Sequence, residues 1–273
     1  MSILVLLNFI NDIALLFIIA LGLAIVFGLM GVVNLAHGEF IMLGAYTMFF
    51  ITSFQLSPWF GLLLAPIVVG IFGLITEKLL VRKLYGKIMQ SILATFGLSI
   101  VLSQIVEFIF GKGYKPVPPV MTHTVLILGT NYPSYRLFII FIAIVLFLLL
   151  FFIQRRTNLG VTIRAVIENP QLASTLGIDI NRVYQGTFVV GSALAGLAGA
   201  LLAPLVVVHA NMGIDYIIRA FMAVLVGGSS LIGLAGSSSL LGGSSSLMSY
   251  WTDAVWASIL MIAIAIFFMK RKQ

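Results

Sequence analysis

The residues best equipped for chemistry crowd into one hexapeptide, Asn34-Leu35-Ala36-His37-Gly38-Glu39, set between two strongly apolar runs. An ionisable side chain inside a bilayer costs at least about 2.5–3.5 kcal/mol on insertion scales, so it faces protein or a water-filled cavity. In an ordinary cytoplasmic turn the same residues would sit in water at no cost. Gly28, Gly31, Gly38 and Gly44 are spaced by about a helical turn or a multiple of it. That suits close helix packing and favours a buried break lining a polar path. Hydrolysis is the competing use of His37 and Glu39. A zinc protease needs two His at i and i+4 with a Glu between them, and no H-E-x-x-H occurs. The serines lie in small-residue packing patterns with no base nearby in sequence, so no enzyme activity is expected.

A second group of residues lies in Arg155–Arg182. Asn169 suits an N-cap, Pro170 the first helical position and Gly177 a left-handed stop, which bounds a helix of about two turns. Leu172, Ala173 and Leu176 form one apolar stripe in a loop otherwise exposed to water. The stripe either packs on the protein's own helix ends or inserts as a knob into a partner's groove. Further on, Gly191, Ala195 and Gly199 are spaced by four, the small-xxx-small pattern of helix contact. Asn211, Asp215 and Arg219 read as a solvated helix start or a solute entrance on the outer side.

The elements that hold these groups follow from composition. Of 273 residues 61% are hydrophobic and 8% charged, with mean hydropathy +1.19. A soluble domain has about 25% charged residues, so this chain cannot clothe a water-facing surface. The expected fold is all-α, a polytopic transmembrane bundle of about 8–10 helices forming one transmembrane domain over 1–273. Its polar connections are too short for an appended ATPase or nucleic-acid module. The net charge of +7 is explained by basic loops rather than by nucleic acid. Cys is absent, which excludes disulfides and thiolate metal sites.

Apolar runs cover 3–33, 40–56, 59–76, 88–110, 137–153, 183–208, 217–235 and 240–269. The first is long enough to be either a tilted span or an interfacial piece joined to a span. Eleven of the fifteen basic residues fall in three places: Lys78–Lys87, Arg155–Arg182 and Lys270–Lys272. These are assigned to the cytoplasm, which leaves the N-terminus and the Pro-rich loop 111–136 outside. Parity then demands an odd number of crossings after Val208, where only two apolar segments are evident. A re-entrant segment or a hidden third span is required, with the Gly- and Ser-rich stretch Gly227–Ser246 as the expected site of a broken helix.

On the motifs NLAHGEFIMLGAY (Asn34–Tyr46), RAVIENPQLASTLGI (Arg164–Ile178) and TFVVGSALAGLAGALLAP (Thr187–Pro204), the sequence resembles the permease subunits of ABC importers for branched-chain amino acids and for urea or short amides. GLAIVFGLMGVVNLAHGEF, SILATFGLSIVLSQ and NMGIDYIIRAFMAVLVGG look somewhat more like the urea branch. The resemblance implies a related second permease as a heterodimer partner, two cytoplasmic ATPases that carry ATP and magnesium, and an extracytoplasmic binding protein. No cofactor would be bound by this chain, whose place is the bacterial inner membrane among lipid. The family's coupling segment falls on loop 154–183, with Arg164, Glu168, Asn169, Leu172, Ala173, Leu176 and Gly177. Its pathway motif falls on Asn34, His37 and Glu39. Two departures stand out: serines after Gly228 where the family is richer in glycine, and a tail (Phe267–Gln273) without the usual Arg-Pro-Arg-Gly ending. The alternative from another class is a self-sufficient secondary transporter or channel, with Glu39 or Glu107 binding a coupling ion.

Overall fold

Apolar segments that must satisfy every backbone group internally become helices. The structure, a computed structural model, describes residues 3–272. Gln273 lies outside the described residues, as do the side chains of Arg271 and Lys272. Helix α1 runs over Ile3–Met30, α2 over His37–Ser53, α3 over Pro58–Leu79 and α4 over Ile88–Phe110, with a 3-10 turn at Val81–Leu84 between the last two. A two-stranded hairpin follows, β1 (Thr124–Ile127) and β2 (Thr130–Pro133). Then come α5 (Ser134–Arg156), α6 (Asn158–Glu168), α7 (Pro170–Thr175), α8 (Ile180–Leu202), α9 (Met212–Gly227), α10 (Leu231–Trp251) and α11 (Ala254–Lys272).

The all-α polytopic reading holds: among the described residues five helices are long and apolar enough to cross a membrane, namely α1, α3, α4, α5 and α8. The first apolar run is one continuous helix of 28 residues. It is hydrophobic all round and buried along most of its length, as expected for a helix at the centre of a bundle. Helix α8 packs on α1, α2 and α3. Contact is close because glycines face each other: neither Gly22 of α1 nor Gly191 of α8 has room for a Cβ against the other helix, and Gly44 of α2 lies against the Gly196 backbone. Helices α4 and α5 stand at the periphery and present Leu, Ile and Phe outward.

Parity asks for a third segment after Val208, beyond the two evident apolar ones. Three helices occupy that region, because Gly228 takes φ +74 and ends α9, Ser230 caps α10, and Thr252-Asp253 separates α10 from α11. The expected break within Gly227–Ser246 is therefore confined to Gly228–Ser230. The serine-rich stretch itself is an unbroken helix. Its hydroxyls bond backbone carbonyls, Ser239 to Ala235 O at 2.8 Å within α10 and Ser237 to Ala223 O at 2.7 Å across to α9.

Two loop boundaries shift as well. Residues 134–136 open α5, so the loop expected over 111–136 is shorter, and it carries a hairpin whose turn, Leu128-Gly129, has positive φ at both positions. At the other end Gln154–Arg156 belongs to α5 and residues 180–183 to α8, which leaves α6 and α7 as the body of the 154–183 segment.

Candidate functional site

The break between α1 and α2 is buried. Gly31, with φ +60, releases the chain from α1, and residues 31–36 lead it back into the bundle before α2 begins at His37. Asn34, His37 and Glu39 are each 1% exposed. Nε2 of His37 donates to the Ile19 carbonyl at 3.2 Å, eleven residues short of the end of α1, so α2 starts at mid-length of its neighbour rather than at its tip. This excludes the open turn in water. Oδ1 of Asn34 accepts from the Ala36 N–H at 3.1 Å, a local bond that shapes the turn.

The same plan occurs a second time in the opposite direction. The start of α1 meets the hairpin end of the bundle, where Arg136 Nη1 donates to Asn8 Oδ1 at 2.6 Å. Helix α8 finishes at that end, where Tyr135 O–H donates to the Leu201 carbonyl at 2.7 Å. From there residues 203–211 turn back and α9 begins in the interior. Gly38 in the first turn of α2 packs against the Gly213 carbonyl in the first turn of α9 with no room for a Cβ, and a Cβ on Gly213 would meet the Glu39 carboxylate. Helix α2 then runs toward the hairpin end, where Tyr46 stacks near Phe110 at the close of α4. Helix α9 runs the other way, to Ser229 beside Gly28 near the close of α1. Two short helices, of 17 and 16 residues, thus meet N-terminus to N-terminus, each with a partial positive charge at that end.

Glu39 sits at that junction. Its carboxylate lies against Gly213, Oε1 accepts from the Ser99 hydroxyl at 2.9 Å, and Oε2 has no hydrogen-bond partner among the described residues. Helix α4 also holds the break itself: Thr95 Oγ1 accepts from the Leu35 N–H at 3.1 Å and donates to the Ser91 carbonyl at 2.7 Å. Thr95, Ser99 and Gly213 escaped the sequence reading. The available signal was the four-residue spacing of Ser91, Thr95, Ser99, Ser103 and Glu107, one polar stripe on an otherwise apolar helix.

Asp215 and Arg219 are exposed on α9. They follow Gly213 by two and six residues, in the N-terminal half of α9.

The second group is 154–183, at the end of the bundle opposite the hairpin. Asn169 Oδ1 accepts from the Leu172 N–H at 3.0 Å, Pro170 opens α7, and Gly177 (φ +85) closes it with its N–H on the Ser174 carbonyl at 3.0 Å. The apolar stripe divides. Leu172 and Leu176 are 59% and 73% exposed, whereas Ala173 is 2% exposed and packs inward. Arg164 donates to the Gln154 carbonyl, which ties α6 to the end of α5, and Glu168 is exposed. Of the packing triplet, Ala195 is fully buried, Gly191 touches α1, and Gly199 lies against the Ile41 carbonyl of α2. Among the described residues no group of three His, Cys, Asp or Glu is placed to hold a metal.

The profile of a family described as "Branched-chain amino acid transport system / permease component" matches residues 5–269. The chain is 27% identical to the high-affinity branched-chain amino acid transport system permease protein LivH of Salmonella typhimurium, over 91% of this chain and 86% of that protein. It is 32% identical to the permease protein BraD of a system of the same description in Pseudomonas aeruginosa, over 77% and 74%. PsaBC from Streptococcus pneumoniae in complex with Fab contains a chain of similar fold, with TM-score 0.53 and 14% identity over 97% of this chain and 89% of that one.

Proposed function

Since the chain belongs to the branched-chain amino acid transport permease family, we propose that it forms half of a translocation path whose solute is an aliphatic amino acid. It is the multi-pass inner-membrane permease subunit of an ABC importer, a transport component rather than an enzyme. ATPase and solute-binding partners go with that family. The solute is argued from the relatives, both branched-chain systems by description. The lean of three stretches toward urea finds no support in them.

The observation that carries the path is the meeting of α2 and α9 at Gly38 and Gly213. Interrupted helices whose N-termini converge at mid-depth supply backbone donors and positive dipole ends that suit a solute carboxylate. His37 and Asn34 shape the break that starts α2 and Glu39 lies at the junction itself, while the exposed face of α9 with Asp215 and Arg219 is its polar wall. The facing wall comes from a second, related permease chain as a heterodimer. The three basic regions put the 154–183 end in the cytoplasm, with the N-terminus outside and the C-terminus inside. Leu172 and Leu176 dock into an ATPase there, framed by Arg164, Glu168, the Asn169 cap and the Gly177 stop, while Ala173 anchors α7 to its own bundle. ATP and magnesium stay on the ATPases, and this chain binds no cofactor.

Uptake of labelled leucine by the complete assembly in proteoliposomes tests the reading. Excess isoleucine or valine is expected to abolish the signal and excess urea to leave it unchanged. Competition by urea with none by isoleucine would replace the solute, and a chain that retains no ATPase on purification would remove the importer reading altogether.

A further inference from the structure

A carboxylate outside the junction is satisfied far more completely than Glu39. Glu77, in the last turn of α3, is 0% exposed and accepts four hydrogen bonds. Arg82 supplies two, Nε to Oε1 at 2.9 Å and Nη2 to Oε2 at 3.0 Å, the forked geometry that matches guanidinium to carboxylate. Tyr85 O–H donates to Oε1 at 2.5 Å, and Gln185 Nε2 donates to Oε2 at 3.0 Å. Burial and the adjoining carboxylate push the Tyr85 phenol far above its usual range, so it remains a donor. The hydrogen bond to Glu77 likewise holds the Arg82 guanidinium above its ordinary value. Tyr85 also meets Tyr184 edge-on, with ring centres 5.0 Å apart.

The donors come from two places in the chain. Arg82 and Tyr85 belong to the α3–α4 connection, while Gln185 lies in the second turn of α8, 108 residues from Glu77. Helix α8 follows α7 after residues 176–179 and starts on its own cap, where Asp179 Oδ1 accepts from the Arg182 N–H at 3.1 Å. A push on α7 therefore reaches the start of α8 directly. From there α8 leads to the junction, through Gly191 on α1 and Gly199 on α2. Helix α8 already packs along α3, and the Glu77 cluster adds a polar tie from its base to the α3–α4 connection. With Glu77 in place, α3, its connection to α4 and α8 share one rigid node.

Resting on the ABC permease reading with α7 as the docking helix, we propose that the Glu77–Arg82–Tyr85–Gln185 cluster is the joint that passes motion of α7 to α3 and α4. Glu77 is its positioning residue. Because α4 carries Thr95 and Ser99, this route connects the docking end to both walls of the buried break. A structural tie alone would lower the yield of the assembly but leave solute moved per ATP unchanged, and a joint changes that ratio.

The experiment measures leucine uptake and ATP hydrolysis together in proteoliposomes containing the complete assembly. In Glu77→Gln, hydrolysis is expected to continue while solute moved per ATP falls about tenfold, within the range of ordinary coupling energies. Glu77→Gln with Gln185→Glu returns a carboxylate to the same node from the opposite side and is expected to recover most of that ratio. Should Glu77→Gln fail to assemble, Tyr85→Phe and Gln185→Leu, which leave the arginine pair intact, are read the same way. An unchanged ratio in all these variants overturns the joint, and so does a double variant that assembles yet recovers nothing. Loss of bound ATPase from the unsubstituted chain would instead overturn the docking premise, so the two failures are distinguishable.

Discussion

Ser99 on α4 donates its hydroxyl to Oε1 of Glu39 on α2 at 2.9 Å, sixty residues away in sequence, and the other carboxylate oxygen has no partner among the described residues. Ser99 is therefore the side-chain donor to this carboxylate, while Thr95 of the same helix holds the Leu35 N–H. Ser99→Ala leaves a buried carboxyl group without its donor, which costs about 1–3 kcal/mol. The expected result is a lower unfolding temperature of the purified assembly together with reduced uptake. Glu39→Gln keeps a hydrogen-bonding group of the same size and is expected to lose less stability than Ser99→Ala. Equal losses would mean that Ser99 only packs.

Thr95 has a different task, because its hydroxyl accepts from the Leu35 N–H where the break leaves that donor otherwise exposed to an apolar interior. Thr95→Val keeps the shape and deletes the acceptor, so a loss of about 1 kcal/mol is expected. Ser103 donates to the Ile100 carbonyl of its own helix, which is already bonded in the helix ladder. Ser103→Ala is expected to stay within about 0.5 kcal/mol of the parent in the same unfolding measurement.

What was legible in advance divides along the range of the interactions. Asn169, Pro170 and Gly177 act within one turn of chain, so cap, start and stop could be read from residue types alone, and each takes its expected local position. The buried setting of Asn34, His37 and Glu39 was readable because charge between apolar runs demands cover. Thr95 and Ser99 stayed hidden, since a hydroxyl in an apolar helix can always bond its own carbonyl, and only the tertiary fold shows that these two face a break sixty residues distant. The third helix after Val208 was hidden for another reason. Apolar run 217–235 continues through Gly228, where hydropathy sees no boundary but a positive φ ends the helix. Inward and outward faces of α7 were likewise inseparable in sequence, because Leu172 and Ala173 are both apolar and adjacent.

Close helix packing makes a prediction that contrasts two glycines. Gly44 lies against the Gly196 backbone, whereas nothing stands within 4 Å of a Cβ built at Gly97 on α4. Gly44→Ala must push α2 away from α8, and overpacking of this kind costs about 1–3 kcal/mol. Gly97→Ala gains helix propensity of up to about 1 kcal/mol without a clash. Purified yield and unfolding temperature should therefore move in opposite directions for these two substitutions, although both add a single methyl group.

Adjacent residues of α7 separate docking from folding. Leu172 is exposed on a helix capped and stopped at both ends, so Leu172→Asp removes no internal contact and should change the stability of the isolated permease by no more than about 0.5 kcal/mol. Its effect belongs to the contact with the ATPase, where a charge opposite an apolar groove is expected to weaken retention on an affinity column by at least about tenfold, the order of a hot-spot loss. Ala173 is buried against its own bundle. Ala173→Asp forces a carboxylate into that packing and is expected to lower the yield of folded permease before any partner is added. If Leu172→Asp retains the ATPase as well as the parent does while Ala173→Asp folds normally, α7 presents neither face as described, and the docking surface must be sought among the exposed apolar residues of α6, Leu159, Val161 and Ile167.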